Sequence, residues 1–394
     1  MGDSVSSVVS AIEPMSAYEV STGFPLGTGR VPARPWRRGR ASAAQALEVL
    51  EAIVVRALSR PPCVVMFSGG RDSSALLAVA ARVARREGLP LPVPYTMCFP
   101  GEAEAEEGRY QELVVANLGL SEWAKLDATE DADLLGTAAQ AVLRQHGAVW
   151  PPLLATRAGH MKAAAGGSLL SGEGGDEVFG AYRSTPLARL AAERRPGPAL
   201  RLAKASAGAL LPRRQRMARL RAIFGRDLGL GWLRPPVREE YLGRLAEQWA
   251  SQPFAWGQVI GWVAQSRHVS LGISNIVALA AEAGAAYCAP FLAPEFLEVL
   301  GEVFGYLGPA GRTAAMQALF GPLLPDEVLA RSTKAVFTLP AWGRCTREFV
   351  AGWSGDGLDE ALVDVEALQL HWANSRPNAM TFGLVQAAWL AASG

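Results

Sequence analysis

The stretch CVVMFSGGRDSSALLAVA, residues 63–80, constrains the fold of this chain more than any other feature. Its first five residues are apolar and partly β-branched, which predicts a buried parallel strand. Two glycines follow, and then a helical pattern begins. In an open α/β sheet, ligands bind beyond the carboxyl ends of the strands, where this turn lies. The stretch therefore predicts a phosphate-binding loop in an α/β protein.

The composition of the loop narrows the phosphate chemistry. Backbone N–H groups at Ser68-Gly69-Gly70 and the positive end of the next helix attract an anion. Hydroxyl donors can be added by Ser68, Ser73 and Ser74. Asp72 repels phosphate directly, so it fits this loop if Mg²⁺ bridges it to phosphate oxygens. The loop has neither the lysine of γ-phosphate transfer nor the spaced glycines of a dinucleotide site.

A second polar cluster lies in LLSGEGGDEVFGAYR, residues 169–183. Ser171-Gly172 ends a predicted strand and exposes backbone toward a ligand. Glu173, Asp176 and Glu177 then place three carboxylates within five residues. Clustered acids repel one another unless a cation lies among them, so this segment is a candidate metal or amine site.

Strand and helix patterns alternate from about residue 60 to 180, which predicts an α/β fold with an open, mostly parallel sheet and helices on both faces. The predicted strands cover residues 63–67, 92–99, 122–129 and 166–172. From about residue 183 the strand signal nearly vanishes and helical patterns take over. Three parts are predicted: a lead-in over 1–40, a nucleotide-binding core over 41–182, and a largely helical part over 183–394.

Composition excludes several classes of partner. Lys plus Arg number 38 and Asp plus Glu 37 in 394 residues, so the overall charge predicts neither a nucleic-acid nor a membrane partner. The four cysteines are widely spaced, which suggests a reducing compartment, and we expect a cytoplasmic protein. One region is strongly basic: residues 183–226 hold twelve basic side chains and a single acid, Glu193. This region is either a solvated helix face or a docking surface for an acidic carrier protein or peptide.

Three segments carry a resemblance to a known family. SGGRDSS resembles the signature of PP-loop ATP pyrophosphatases, and SGEGGDE resembles the second ATP-site motif of asparagine synthetases, which β-lactam synthetases and lasso peptide cyclases share. Residues 311–342 resemble a late segment that carries a catalytic lysine in asparagine synthetases, and Lys334 aligns with it.

The resemblance implies a PP-loop fold, ATP and Mg²⁺ as cofactors, and a role for particular residues. Asp72 and Asp176 would hold Mg²⁺ on the pyrophosphate part of ATP. Glu173 would face the reacting carboxylate or amine, and Lys334 would stabilise negative charge in the transition state. Met97, in the predicted strand over residues 92–99, would contact adenine, unless it is simply a core methionine. The ATP-binding residues implied by the two motifs and this strand are Ser68, Gly69, Gly70, Asp72, Ser73, Ser74, Met97, Ser171 and Gly172.

The chain also departs from the family pattern. Glutamine-using relatives carry a nucleophilic cysteine at the second position, where this sequence has Gly2, and residues 1–40 resemble only the tail of a glutaminase domain. We therefore expect that the chain does not make ammonia from glutamine on its own. In AYCAPFLAPEF, residues 286–296, a charged triplet and an aspartate of the family are replaced, which disfavours aspartate as the substrate.

The leading functional hypothesis is an ATP-dependent ligase that adenylates a carboxylate, releases pyrophosphate and passes the acyl group to an amine. The expected context is biosynthesis or peptide macrocyclisation, with a carboxylate substrate and an amine donor. The alternatives are asparagine synthetase-like amidation, with ammonia that is free or comes from a separate glutaminase partner, and a non-catalytic ATP-binding protein. A nucleic-acid enzyme such as a tRNA thiolase is disfavoured, because cysteine pairs and an RNA-binding module are absent from the sequence.

Overall fold

A computed structural model describes residues 11–28, 41–102, 105, 107–192, 199–331 and 335–394. Within these residues the chain forms one five-stranded sheet in which all neighbouring strands are parallel, in the order β3-β2-β1-β4-β5. The strands are β1 Cys63–Met66, β2 Val93–Cys98, β3 Ala124–Asp127, β4 Ser168–Leu170 and β5 Ala286–Cys288. This is the predicted α/β fold of the PP-loop type.

Twenty α-helices are found in the described residues. In chain order they are α1 Ala17–Thr22, α2 Ala43–Leu58, α3 Arg71–Glu87, α4 Gly108–Asn117, α5 Thr137–His146, α6 Ala158–Ala163, α7 Gly175–Val178, α8 Thr185–Ala192, α9 Ala199–Leu210, α10 Arg213–Asp227, α11 Pro235–Ala250, α12 Trp256–Ala264, α13 Arg267–Glu282, α14 Pro294–Phe304, α15 Arg312–Phe320, α16 Asp326–Leu329, α17 Thr338–Ala341, α18 Arg344–Gly352, α19 Val365–Trp372 and α20 Phe382–Ser393. Short 3₁₀ turns cover Pro152–Arg157, Pro290–Leu292 and Ala379–Thr381. No helix in the described parts of the chain is both long enough and apolar enough to cross a bilayer.

The central strands β1 and β4 are buried on both faces, which explains why they are almost entirely apolar. Successive side chains of a strand point to opposite faces. Val65 and Phe67 pack into a core with α2, α3 and α14, whereas Val64 and Leu169 pack into a core on the other face with α13. Helices therefore cover both faces of the sheet, as predicted.

The sequence predicted four of the strands at these places, but β5 contradicts the expectation that strands end near residue 183. β5 has only three residues, which is too few for a periodic signal. It lies within the largely helical part of the chain and pairs with β4. The helix predicted after the first loop is confirmed; it ends at Gly88, whose φ of 65° suits glycine. Helix α5 begins at Thr137, later than the helical pattern indicated, because the backbone at its N-cap, Gly136, is extended. A Cβ at Gly136 would overlap the carbonyl of Glu130, so the close approach requires glycine there.

Part of the predicted lead-in is built into the fold. Ser16 and Glu19 form a capping box that starts α1, and Val20, Ser21 and Thr22 of this helix are buried. The indole N–H of Trp232 donates to the carbonyl of Ser21 at 3.0 Å. Helix α1 thus joins a third core, most of whose other residues lie in the second half of the chain.

Candidate active site

The first loop is held by its own hydroxyls. Ser68 Oγ lies 3.2 Å from Ser73 Oγ and accepts the N–H of Gly70 at 3.2 Å. Gly69 has a φ of 83°, and a Cβ there would meet the side chain of Gln111 at 2.7 Å. Glycine is therefore required at this position, because the backbone is left-handed and a neighbour is close.

The second loop approaches the first so closely that it needs its glycines. A Cβ on Gly172 would lie 3.1 Å from the backbone nitrogen of Ser73, and a Cβ on Gly175 would overlap the carboxyl group of Asp72. Ser171, at the end of β4, accepts the N–H of Glu173 at 3.2 Å through its hydroxyl. The two motifs, about a hundred residues apart in sequence, therefore form one interlocked unit at the carboxyl ends of β1 and β4.

Arg312, the first residue of α15, links the acids of the two loops. One of its terminal nitrogens donates to Asp72 and the other to Asp176. Burial raises the pKa of Asp72 above its ordinary value, and the charge of Arg312 counteracts part of that rise. Burial alone would lower the pKa of Arg312, but the charges of Asp72 and Asp176 outweigh it and raise the pKa instead. The two carboxylates predicted as metal ligands thus accept hydrogen bonds from one guanidinium group.

These carboxylates also fit a Mg²⁺ ion. Asp72 Oδ1 is buried and has no hydrogen-bond partner within the described part of the chain, while Oδ2 of the same group accepts from Arg312. Among the described residues, no cluster of three or more His, Cys, Asp or Glu side chains could hold a metal by itself. Mg²⁺ usually binds one or two carboxylates and takes its remaining oxygens from phosphate and water. A site with Asp72 and Asp176 would therefore depend on the nucleotide for completion.

A buried ion pair is hydrogen-bonded to the first loop. Arg331 and Glu107 are 8% and 6% exposed and form a salt bridge. Arg331 also donates to the carbonyl of Gly69 at 2.9 Å, and Glu107 accepts the N–H of Ala335 at 3.1 Å. Lys334 itself lies outside the described residues. Its predicted catalytic role stays a prediction.

A cavity of about 350 Å³ lies between the two loops. Of the residues predicted to bind ATP, it is lined by Ser68, Gly70, Asp72, Ser73, Met97, Ser171 and Gly172. Met97 stands at its apolar end with Phe99 and Phe337, whose rings lie 5.5 Å apart. Ser74 is fully buried in α3 and is not among the lining residues. Gly69 is not among the lining residues either, and its carbonyl accepts a hydrogen bond from Arg331.

Glu173 lies where this cavity meets a second one. Its carboxylate accepts from Arg157 at 2.9 Å, and both side chains line both cavities. Glu177 also lines both, and burial, together with the charges of Glu173 and Asp176, raises its pKa to about 7. Glu173 therefore lies at the junction of the two cavities, and its predicted role of facing the reacting carboxylate or amine stays a prediction.

Sequence reasoning missed five residues that shape this site: Gln111, Glu107, Arg157, Arg312 and Arg331. Arg312 and Arg331 lie inside the segment that resembles the lysine-bearing stretch of the family, so their place in the same sequence segment as Lys334 was a usable signal. Glu107 and Arg157 lie in segments without a motif.

The basic region forms parts of α8, α9 and α10. Several of its arginines are paired with acids: Arg213 with Glu247 at 3.1 Å and Arg221 with Glu239 at 2.7 Å, both pairs being exposed. Exposed pairs of this kind contribute about 0–1 kcal/mol and leave the surface accessible. Docking of an acidic carrier or peptide on this region stays a prediction.

Fold and site together define a PP-loop α/β protein with a nucleotide-sized cavity between two glycine-rich loops. The family model of asparagine synthase matches residues 45–390, most of the chain, and the protein belongs to that family. Its members are ATP-dependent amidating ligases. A search of curated proteins gives no match.

Proposed function

We propose that this protein is an ATP-dependent carbon–nitrogen ligase that forms an amide through an acyl-adenylate. The carboxylate oxygen of the substrate attacks the α-phosphorus of ATP, and pyrophosphate leaves. An amine nitrogen then attacks the acyl carbon, AMP leaves, and the amine loses a proton. The proposed context is biosynthetic, in the manner of β-lactam synthetases or lasso peptide cyclases.

One observation carries the proposal: the two glycine-rich loops interlock, and their acids Asp72 and Asp176 share Arg312 at the mouth of a single cavity. Such an arrangement offers cationic and metal-binding groups to one phosphate chain. Mg²⁺ held by Asp72 and Asp176 would supply charge neutralisation for the pyrophosphate that leaves. Arg312 and Lys334 are the proposed cations of the chain for the same charge.

Glu173 is the proposed base for the amine. Its carboxylate lies at the junction of the two cavities and is about two-fifths exposed, so a substrate nitrogen can reach it. Arg157 orients the Glu173 carboxylate by donating a hydrogen bond to it at 2.9 Å. A base in this position takes the proton that the nitrogen releases as the amide bond forms.

The test follows the nucleotide products. The enzyme is incubated with MgATP, a panel of carboxylic acids and hydroxylamine, which replaces the unknown amine and converts an acyl-adenylate into a hydroxamate. We expect AMP, pyrophosphate and hydroxamate in equal amounts. Asp72→Asn should lower the rate by about 100-fold or more, whereas Glu48→Gln, an exposed acid on α2, should leave it unchanged.

Other products would indicate the alternatives. ADP and phosphate as products would overturn the proposal. Tight ATP binding without any cleavage would favour a non-catalytic ATP-binding protein. Amide formation from aspartate with ammonium as the preferred nitrogen source would favour an asparagine synthetase-like reaction, with ammonia that is free or delivered by a partner.

A further inference from the structure

The second cavity has a volume of about 260 Å³ and walls from parts of the chain that are far apart in sequence. Its apolar wall consists of Phe24, Trp150, Pro151, Leu154, Val269, Ile273, Ile276 and Leu292. A water molecule takes about 30 Å³ in the liquid, so the cavity has room for about nine waters. An aliphatic or aromatic amino acid fills a similar volume.

The two cavities meet at a charged junction. Arg157, Glu173, Gly174 and Glu177 line both of them. Arg157 is the cation of this group, and its guanidinium can hold a carboxylate by two hydrogen bonds. A carboxylate bound there faces the cavity that contains the two phosphate-binding loops. The junction therefore separates a nucleotide side from an apolar side.

The wall opposite the junction carries no formal charge. Its one titratable lining residue, of those that the structure describes, is His268. Burial lowers the pKa of His268 to about 4, so the ring is neutral near pH 7. The ring packs on Phe24 with centroids 4.4 Å apart, and the carbonyl of His268 accepts the indole N–H of Trp150 at 2.7 Å. A second carboxylate would meet apolar side chains and a neutral imidazole here, which disfavours a dicarboxylate.

We propose that the second cavity binds the acid substrate of the ligase by an uncharged, apolar body, with the carboxylate at the junction beside Arg157. The substrate class is a monocarboxylic acid with an aliphatic or aromatic group of amino-acid size. This inference rests on the proposed ligase function, and it separates the chain from an enzyme that uses aspartate.

Gly272 allows the cavity to be filled without a change at the nucleotide site. A Cβ at this position of α13 would make ordinary contacts with Pro151 at 3.4 Å and Trp150 at 3.8 Å, so a larger side chain can be accommodated at the wall. Gly272→Leu places a branched side chain in the cavity. Gly243→Leu is the matched control, because a Cβ at Gly243 of α11 meets nothing within 4 Å.

The first measurement is calorimetric binding of 3-phenylpropanoate, L-leucine and L-aspartate to the full chain with MgATP present. We expect at least one apolar acid to bind ten or more times more tightly than aspartate. Gly272→Leu should weaken that binding at least tenfold, and Gly243→Leu should not. Tighter binding of aspartate, or equal effects of the two variants, would overturn the inference.

The second measurement is acid-dependent exchange of labelled pyrophosphate into ATP with the same three acids. Exchange that is greater with an apolar acid than with aspartate supports the inference. Exchange with aspartate alone overturns the inference but leaves the ligase function standing. Binding of an apolar acid that is lost in Gly272→Leu, without exchange for any acid, supports the cavity assignment and counts against the ligase function.

Discussion

At the scale of single residues, one arginine, Arg312, donates to both acids of the two loops, Asp72 and Asp176. Arg312 and Asp72 have side chains that are 20% and 18% exposed, so each depends on the other for compensation of its charge. Removal of one charge leaves the other without its partner in a poorly solvated place. Removal of both should be tolerated better than either single change.

We predict this non-additivity from a double-mutant cycle with Arg312→Gln and Asp72→Asn. Arg312→Gln alone should lower the free energy of unfolding at pH 7 by about 2 kcal/mol, because the buried carboxyl group of Asp72 then loses the cation that compensates its charge. The double variant should recover part of the loss, with a coupling energy of about 1–3 kcal/mol. Urea titrations of the four proteins check this. Additive single effects would show that the pair contributes little.

A second residue-scale prediction concerns pH. His160 is 6% exposed and packs on Tyr95 with ring centroids 4.6 Å apart. Burial, helped by the charge of Arg157, lowers the pKa of His160 from 6.5 to about 3. The unfolded chain therefore binds a proton at a higher pH than the folded chain. The stability that the neutral ring contributes is complete above pH 6.5 and is lost progressively as the pH falls toward 3.

His160→Leu should remove this dependence. Between pH 7.5 and 4.5 the wild-type protein should lose about 2–3 kcal/mol more unfolding free energy than the variant. The comparison uses the change with pH in each protein, so a packing cost of the substitution cancels. Parallel curves for the two proteins would mean that His160 is already protonated or is solvated in the folded state.

At the scale of elements, two ion pairs that connect nearly the same segments differ sharply in burial. Arg331–Glu107 has side chains that are 4% and 5% exposed, and it holds the carbonyl of Gly69 as well. Arg109–Glu327, from α4 to α16, has side chains that are 79% and 45% exposed. The pairs form a natural comparison of a buried and a solvated interaction between similar parts of the fold.

Loss of the buried pair should be costly. Arg331→Met should lower the free energy of unfolding by about 3 kcal/mol, because Glu107 then remains buried without its cation. The same variant should raise the KM for ATP, since the first loop loses a hydrogen bond at Gly69. Arg109→Met should cost less than about 1 kcal/mol and leave KM unchanged. Equal effects of the two variants on both stability and KM would contradict this assignment.

Elements and contiguous motifs were largely predictable from the sequence. A buried strand, a glycine turn and a helix leave a local pattern, and so β1, α3 and the two loops could be located. For Arg157, Arg312 and Glu107, the oppositely charged partner could not be predicted, because one sequence does not indicate which distant residues meet. Arg312, for example, is 240 positions from Asp72. Strand β5 was missed since three residues carry no periodicity.

At the scale of the whole molecule, the helical part completes the sheet. β5 pairs with β4 through registered residues such as Leu169 and Tyr287, and Ser171 donates its N–H to the carbonyl of Cys288 at 3.0 Å. Leu169 and Leu170 are fully buried, with β5 alongside them. The second glycine-rich loop begins at this strand, so its position depends on a segment more than a hundred residues further along the chain.

We therefore predict that residues 41–182 do not fold by themselves, although they contain both loops. A fragment of these residues would leave β4 as an uncovered apolar edge and expose the core face that α13 and α14 cover. Far-UV circular dichroism should show no cooperative thermal transition for the fragment and a single one for the full chain. A cooperative transition with ATP binding by the fragment would show that the first part is autonomous.

The apolar lining of the second cavity lies outside the two loop motifs, and this has a consequence for how the protein can evolve. Phe24, Trp150, Gly272 and Ile276 line the apolar cavity and belong to neither glycine-rich loop motif. Under the proposed substrate assignment, variation at these four positions would change which acids the molecule accepts and leave the two loop motifs unaltered. A combinatorial library over these four positions is therefore the natural starting point for laboratory evolution of new amides, with selection acting on substrate scope alone.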